Sequence, residues 1–253
     1  MLKLGPGEEN AMEWIVVRDY DAMSEEAARR IIERMKAQPD LVLGLATGST
    51  PVGTYRRLVD AFRRGEISFA RVRTVNLDEY VGLAPDHPQS YARFMREQLF
   101  DHVDLPADAW DIPRGTAADL EAECARYEAH IRELGGIDLQ LLGIGTNGHI
   151  GFNEPGTPFE ARTHVVALTA STREANARFF ERPEDVPTHA VTMGLGTILE
   201  AREILLLASG PSKREAIRRL YHEGPSPDLP ASALKHHPRV TVIVDEAAAA
   251  DIR

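Results

Sequence analysis

Residues 143–156 read G-I-G-T-N-G-H-I-G-F-N-E-P-G. His149 and Glu154 form an acid–base pair on one short loop, with Asn147 and Asn153 as orienting amides. A neutral histidine can hand a proton to a ring oxygen when a carboxylate sets its tautomer. The first six residues also spell G-x-G-x-x-G (Gly143, Gly145, Gly148), the pattern of a dinucleotide site. That pattern normally opens a helix in the first βαβ unit, with an acidic residue about 20 positions on. Here the unit falls late in the chain, and Gly151, Pro155 and Gly156 interrupt any helix. The context argues against a nucleotide cofactor. The glycines instead let a tight loop pass close to a ligand.

A second candidate base lies in N-L-D-E-Y (76–80), where Asp78 and Glu79 follow a buried apolar run. A partly desolvated carboxylate at a strand end has its pKa raised toward that of a useful base. Adjacent side chains diverge, so one is expected to face the site and the other solvent. Two further segments suit an anion. A-T-G-S-T-P (46–51) offers Thr47, Gly48, Ser49 and Thr50 at a helix start, with hydroxyls and free N–H groups. An ordinary capped βα turn reads similarly, and no G-K-[ST] follows to make a Walker loop. A-S-G-P-S-K (208–213) adds Lys213, with Ser212 as a candidate cap. A cation in a first turn is slightly unfavourable unless an anion binds there. Arg178 could add a planar fork for phosphate.

These segments need elements to bring them together. Strands are expected over 14–17, 41–46, 71–77, 137–144, 163–169, 203–209 and 240–245. The run 41–46 does not alternate, as in a strand buried on both faces. Ser24 is expected to cap a helix with Glu25 and Glu26 in its first turn, and Pro51 to open another. Further helices are expected near 88–101, 117–134, 172–181 and 212–221. The alternation predicts an α/β fold, a doubly wound, mostly parallel sheet with helices on both faces. No linker divides the chain, so 1–253 is expected to be a single domain, with a mobile flap near 160–187. Ligands in such sheets sit at the carboxyl ends of strands. The runs 41–46, 71–77, 137–144 and 203–209 all end in the candidate residues above.

The 253-residue chain is 43% hydrophobic and carries a net charge of −10. That charge argues against a nucleic-acid partner, so an anionic ligand must be held by local groups. The one cysteine, Cys124, permits no intrachain disulfide and falls on an apolar helical stripe with Leu120, Tyr127, Ile131 and Leu134. It reads as a buried structural thiol. His236 and His237 are consecutive and lack ligand spacing with it, so no metal site is expected. The N-terminal M-L-K-L-G-P-G-E-E-N lacks a signal-peptide apolar region. No apolar run approaches the ~18 residues of a membrane helix. A soluble cytoplasmic protein without a membrane partner is expected.

T-G-S-T-P, N-L-D-E-Y-V-G-L, H-P-Q-S-Y, G-I-G-T-N-G-H-I-G-F-N-E-P-G and S-G-P-S-K occur in this order between about residues 40 and 246. Together they resemble glucosamine-6-phosphate deaminases. The resemblance implies a modified Rossmann-like fold without a cofactor. It also implies conversion of glucosamine 6-phosphate and water into fructose 6-phosphate and ammonia, a step of amino-sugar catabolism. By the resemblance, Asp78 takes the C2 proton of the opened sugar, His149 opens the ring and Glu154 supports it. Asn147 stands where some members have aspartate. Thr47, Gly48, Ser49, Thr50, Arg178 and Lys213 match phosphate-binding positions.

Two departures follow. Asn147 can hydrogen-bond His149 but cannot stabilise an imidazolium as a carboxylate would, which implies a shifted pH profile. Allosterically activated members carry a basic cluster after G-F-N-E-P and a longer tail. Here the cluster positions read His164, Val166 and Ala167, and the sequence ends at Arg253. The resemblance therefore implies no activation by N-acetylglucosamine 6-phosphate, and a monomer or small homo-oligomer rather than a regulated hexamer. Two related readings stay open: a 6-phosphogluconolactonase, which needs no carbon-acid base and so no Asp78, and a deaminase for the galacto epimer. A sugar-phosphate sensor would be expected to carry a DNA-binding segment, and none is apparent.

Overall fold

The computed structural model describes residues 1–4 and 12–252. Most of the N-terminal segment considered as a signal peptide, and the final Arg253, lie outside the described residues. In chain order the elements are β1 (Leu2–Leu4), β2 (Glu13–Val17), α1 (Tyr20–Ala37), β3 (Val42–Leu45), α2 (Val52–Arg63), β4 (Arg73–Asn76), β5 (Asp78–Tyr80), α3 (Tyr91–Gln98) and β6 (Trp110–Asp111). There follow α4 (Leu120–Glu133), β7 (Leu139–Leu142), β8 (His164–Ala167), α5 (Ala170–Asn176), β9 (His189–Thr192), α6 (Leu195–Leu199), β10 (Glu203–Ala208), α7 (Arg214–His222) and β11 (Val240–Asp245).

Eight strands form one sheet in the order β1-β2-β11-β10-β7-β3-β4-β6, and only β1 runs antiparallel to its neighbour. One face packs against α1, α2 and α3 through Met23, Ile31, Tyr55, Leu58 and Met95. The other packs against α4, α6 and α7 through Tyr127, Ile131, Ile198, Ile217 and Leu220. This is the doubly wound arrangement, with apolar strands buried on both sides. From β3 the chain winds outward through β4 to β6, then returns to β7 and winds the other way through β10. The order therefore reverses between β3 and β7, where a ligand crevice opens at the carboxyl ends.

The run 163–169 does form a strand, but not in the main sheet. β8 lies at the edge of a second, antiparallel sheet of order β5-β9-β8. The segment 160–187 contains β8, α5 and two short 3-10 turns, 177–179 and 183–185, and leads back into β9. The first helix starts a turn earlier than expected. Asp19 Oδ1 caps it by accepting from Ala22 N–H at 2.9 Å. Ser24 is buried within α1, and its Oγ is so close to Gly53 that a Cβ there would stand 2.3 Å away. Cys124 is a free, buried thiol on α4.

Candidate active site

The loops after β3 and β7 face each other across a cavity of about 370 Å³. Thr47, Gly48, Ser49 and Thr50 form one wall, with Asp78, Tyr91, His149, Phe152 and Lys213 around the rest. The four strand ends singled out in the sequence thus converge on one space.

The 143–156 loop is built around its histidine. Gly148 N–H donates to Gly145 O at 3.0 Å and Gly145 N–H to His149 O at 2.9 Å, closing a tight turn with no helix after it. The imidazole lies flat on Gly145, where a Cβ would sit 2.0 Å from Nδ1 and Cε1. Only glycine lets the ring occupy this place. Asn147 Oδ1 accepts from His149 N–H at 3.1 Å and contacts Nδ1 at 2.7 Å. Asn147 Nδ2 donates to Glu154 Oε2 at 2.8 Å. Glu154 approaches the ring itself only to 3.8 Å. Asn147 and Glu154 stand behind His149, outside the cavity lining. Burial holds the imidazole below its usual pKa, opposed by Glu154 and reinforced by Lys213. His149 is therefore neutral near pH 7.

Asn153 does not orient the histidine. Its buried Nδ2 donates to Ile150 O at 2.9 Å and Met193 O at 2.8 Å, pinning the loop to the chain that follows β9. Phe152 N–H donates to Thr192 Oγ1 at 3.2 Å, on β9, so the small sheet fixes the other side of the loop.

Asp78 begins β5, directly opposite Thr192. Burial first, then the charge of Glu79, pushes its carboxyl up to about 8. Glu79 does not face solvent as expected for an alternating pair. It is 2% exposed and turned to the start of α3. Tyr91, the last residue of H-P-Q-S-Y, also lines the cavity, and nothing in its local sequence signals this. Its hydroxyl donates to Tyr80 Oη at 3.2 Å, which also accepts from Asn176 Nδ2 at 3.1 Å.

The segments expected to hold an anion supply a backbone part and a charged part. Gly48 takes φ +91°, a left-handed conformation that a side chain disfavours, and nothing stands within 4 Å of where its Cβ would be. A ligand can therefore reach the backbone just before α2. Lys213 Nζ donates to Ile144 O at 2.6 Å, and burial lowers its pKa. Lys213 rather than Ser212 is the residue preceding α7, and no side chain caps that helix. Arg178 is not brought to the cavity. It lies on the 177–179 turn with its guanidinium 4.6 Å above the Phe179 ring. Asn176, Phe179 and Phe180 of the same segment line an adjoining cavity of about 260 Å³, which shares Gly48 and Tyr91 with the first.

Comparison with known proteins identifies the family and the fold. Residues 18–243 match the family described as glucosamine-6-phosphate isomerases/6-phosphogluconolactonase. A glucosamine-6-phosphate deaminase of Geobacillus sp. (strain WCH70) is 57% identical over 235 residues, covering 93% of this chain and 94% of that protein. Glucosamine-6-phosphate deaminase 1 of Bacillus subtilis (strain 168) is 54% identical over 230 residues, 91% and 95% of the two chains. A solved structure described as a monomeric glucosamine-6-phosphate deaminase superposes with a TM-score of 0.91 at 52% identity, covering 94% of this chain and 99% of that one. A 6-phosphogluconolactonase from Trypanosoma cruzi shares the fold at a TM-score of 0.76 and 22% identity. The chain belongs to the glucosamine-6-phosphate isomerase/6-phosphogluconolactonase family.

Proposed function

We propose that this chain is a glucosamine-6-phosphate deaminase, converting glucosamine 6-phosphate and water into fructose 6-phosphate and ammonia. The observation that carries the reading is the meeting of Asp78, a buried carboxyl pushed up to about 8, with neutral His149 around one cavity. Ring opening needs a group that both takes and gives a proton. With Nδ1–H committed to Asn147, Nε2 accepts the proton of O1; as the C1–O5 bond breaks, it returns that proton to O5. The aldehyde then acidifies C2. The Asp78 carboxylate removes the C2 proton, and the electron pair forms C1=C2 as the C1=O π pair moves to O1. O1 takes a proton from the 2-ammonium group. Asp78 then returns its proton to C1 as the nitrogen lone pair forms C2=N, giving a protonated ketimine. Water adds to C2 and ammonia leaves. The steps balance without a redox cofactor or a metal.

Asp78 must be ionised to act, although burial and the charge of Glu79 favour its acid form. A protonated 2-amino group beside it would favour the carboxylate. Substrate binding would thus bring the base to its working state. Thr47, Gly48, Ser49, Thr50 and Lys213 would hold the phosphate and fix the reacting carbons over Asp78 and His149. Arg178 would join them only on movement of the 160–187 segment.

The same reading takes residues 1–253 as one domain acting as a monomer or small homo-oligomer in the cytoplasm, without response to N-acetylglucosamine 6-phosphate. Among the described residues no helix is long and apolar enough to cross a membrane. The test is ammonia release from glucosamine 6-phosphate by the wild type, Asp78→Asn and His149→Gln. Loss of about 10³-fold or more in both variants is expected. Full activity in both would sink the mechanism, and hydrolysis of 6-phosphogluconolactone without ammonia release would assign the site to the sister activity.

A further inference from the structure

Glu79 is a buried carboxylate that the proton transfers above do not use. Its Oε1 accepts from the N–H groups of Tyr80 and Tyr91, and its Oε2 from that of Ala92, each at 2.9 Å. Tyr91 and Ala92 are the first two residues of α3. The carboxylate therefore sits at the positive end of that helix, where a negative charge is favoured. Burial pushes the Glu79 carboxyl up, and the three N–H donors oppose that rise. They suit a group that only accepts, since a carboxylic acid would turn its O–H toward one of them. The grip fixes the backbone of Tyr91, whose side chain lines the catalytic cavity.

Asp78 precedes Glu79 on β5 and faces the cavity instead. The titratable groups around it come from every neighbouring element. Tyr80, Tyr91 and Tyr127 have phenols pushed up by burial and stay neutral. His149 is neutral, and Lys213 carries a positive charge on the cavity wall. From β9 the paired residue is Thr192, an uncharged hydroxyl. The negative charge next to Asp78 is thus that of Glu79. Two adjacent carboxyls in such different surroundings divide their roles: one stays ionised and the other holds the proton.

We infer that Glu79 is a positioning residue: held ionised by the start of α3, it keeps Asp78 a strong base and Tyr91 on the cavity wall. This rests on the reading of Asp78 as the C2 base. The test compares kcat/KM against pH in the wild type, Glu79→Gln and Ser90→Ala. Ser90 Oγ caps the same helix by accepting from Arg93 N–H at 3.1 Å, but carries no charge. Glu79→Gln should move the acid limb down by about one pH unit and lower the plateau. Ser90→Ala should leave the limb where it is, since only the cap is weakened. The ionisation of the substrate amine is common to all three. A Glu79→Gln limb that coincides with the wild type, or an equal movement in Ser90→Ala, overturns the inference.

A second measurement uses the wild-type protein alone. Carboxyl ¹³C resonances followed against pH should show Glu79 titrating below Asp78. The reverse order overturns the inference even if Glu79→Gln does not fold. An active Asp78→Asn would instead sink the assignment of the C2 base while leaving that titration order untouched.

Discussion

The amide of Asn147 donates to Oε2 of Glu154 at 2.8 Å. A carboxylate only accepts, so this bond decides which way the amide points and turns its oxygen to His149. Nδ1 of His149 must then carry the hydrogen in the neutral ring, leaving Nε2 free for the substrate. Glu154 acts through the amide, since its own approach to Nδ1 is 3.8 Å. Asn147 is thus a relay of orientation rather than of charge.

Asn147→Asp should convert the relay into a charged partner. A carboxylate in place of the amide oxygen favours the imidazolium, so the His149 pKa rises. Because ring opening uses the neutral ring, the acid limb of kcat should move to higher pH. Superimposable pH–rate curves for the two enzymes would rule out this account of Asn147. Glu154→Gln should keep the fold but free the amide to turn either way, lowering kcat by about 10²-fold at every pH.

Asp78→Asn should be a more stable protein at alkaline pH. The Asp78 carboxyl is raised from 3.8 to about 8 on folding. The folded state therefore holds a proton that the unfolded state releases above pH 4. The contribution of Asp78 to wild-type stability falls as pH rises from near 4 through about 8, and that fall is absent in a variant that cannot ionise. The gain in Tm of Asp78→Asn over the wild type should grow between pH 5 and pH 8.5, by an amount equivalent to several kcal/mol at most. Thermal unfolding at a series of pH values checks this, and a constant difference would show that Asp78 is not held in its acid form.

Much of this site was legible because parallel strands carry two signals at once. Apolar runs such as 41–46 mark buried strands, and the residues just after them fall at the carboxyl edge. Asp78, His149, Lys213 and 47–50 were found this way and line one cavity. What stayed hidden depends on tertiary partners. The pattern of 163–169 signals a strand but not which sheet it joins, and β5 is only three residues long. Glu79 looked like the solvent-facing half of a pair because nothing local reveals the start of α3 above it. Asn153 and Asn147 are the same residue type on the same loop, yet one holds backbone carbonyls and the other the His149 ring. Ser24 suggested a cap because the true one, Asp19, lies just ahead of it.

Lys213 and Arg178 should separate in their dependence on flap movement. Lys213 already stands on the cavity wall, so Lys213→Met should raise KM by about 10-fold or more and weaken competitive inhibition by inorganic phosphate. Arg178 is stacked on Phe179 outside the cavity lining, and Phe179 is 49% exposed. If the 160–187 segment closes over bound phosphate, amide exchange across 169–181 should slow on adding phosphate in the wild type and less so in Arg178→Ala. Equal slowing in both proteins would remove Arg178 from the phosphate site.

Gly145→Ala tests whether the loop glycines serve the histidine rather than a nucleotide. The added methyl would stand 2.0 Å from Nδ1 and Cε1 of His149, so the ring must leave its place or the loop must open. Either change breaks the 2.7 Å contact to Asn147 that sets the tautomer. Because the strain falls on an unpaired loop beyond β7 rather than on the sheet, Tm should fall by only a few degrees. A displacement of about 1 Å at a proton-transfer group costs on the order of 10²-fold in rate. The expected result is a folded enzyme with kcat reduced by that amount and KM nearly unchanged, since the phosphate cradle is built from other residues. A raised KM with kcat intact would mean that the loop binds substrate without moving its protons.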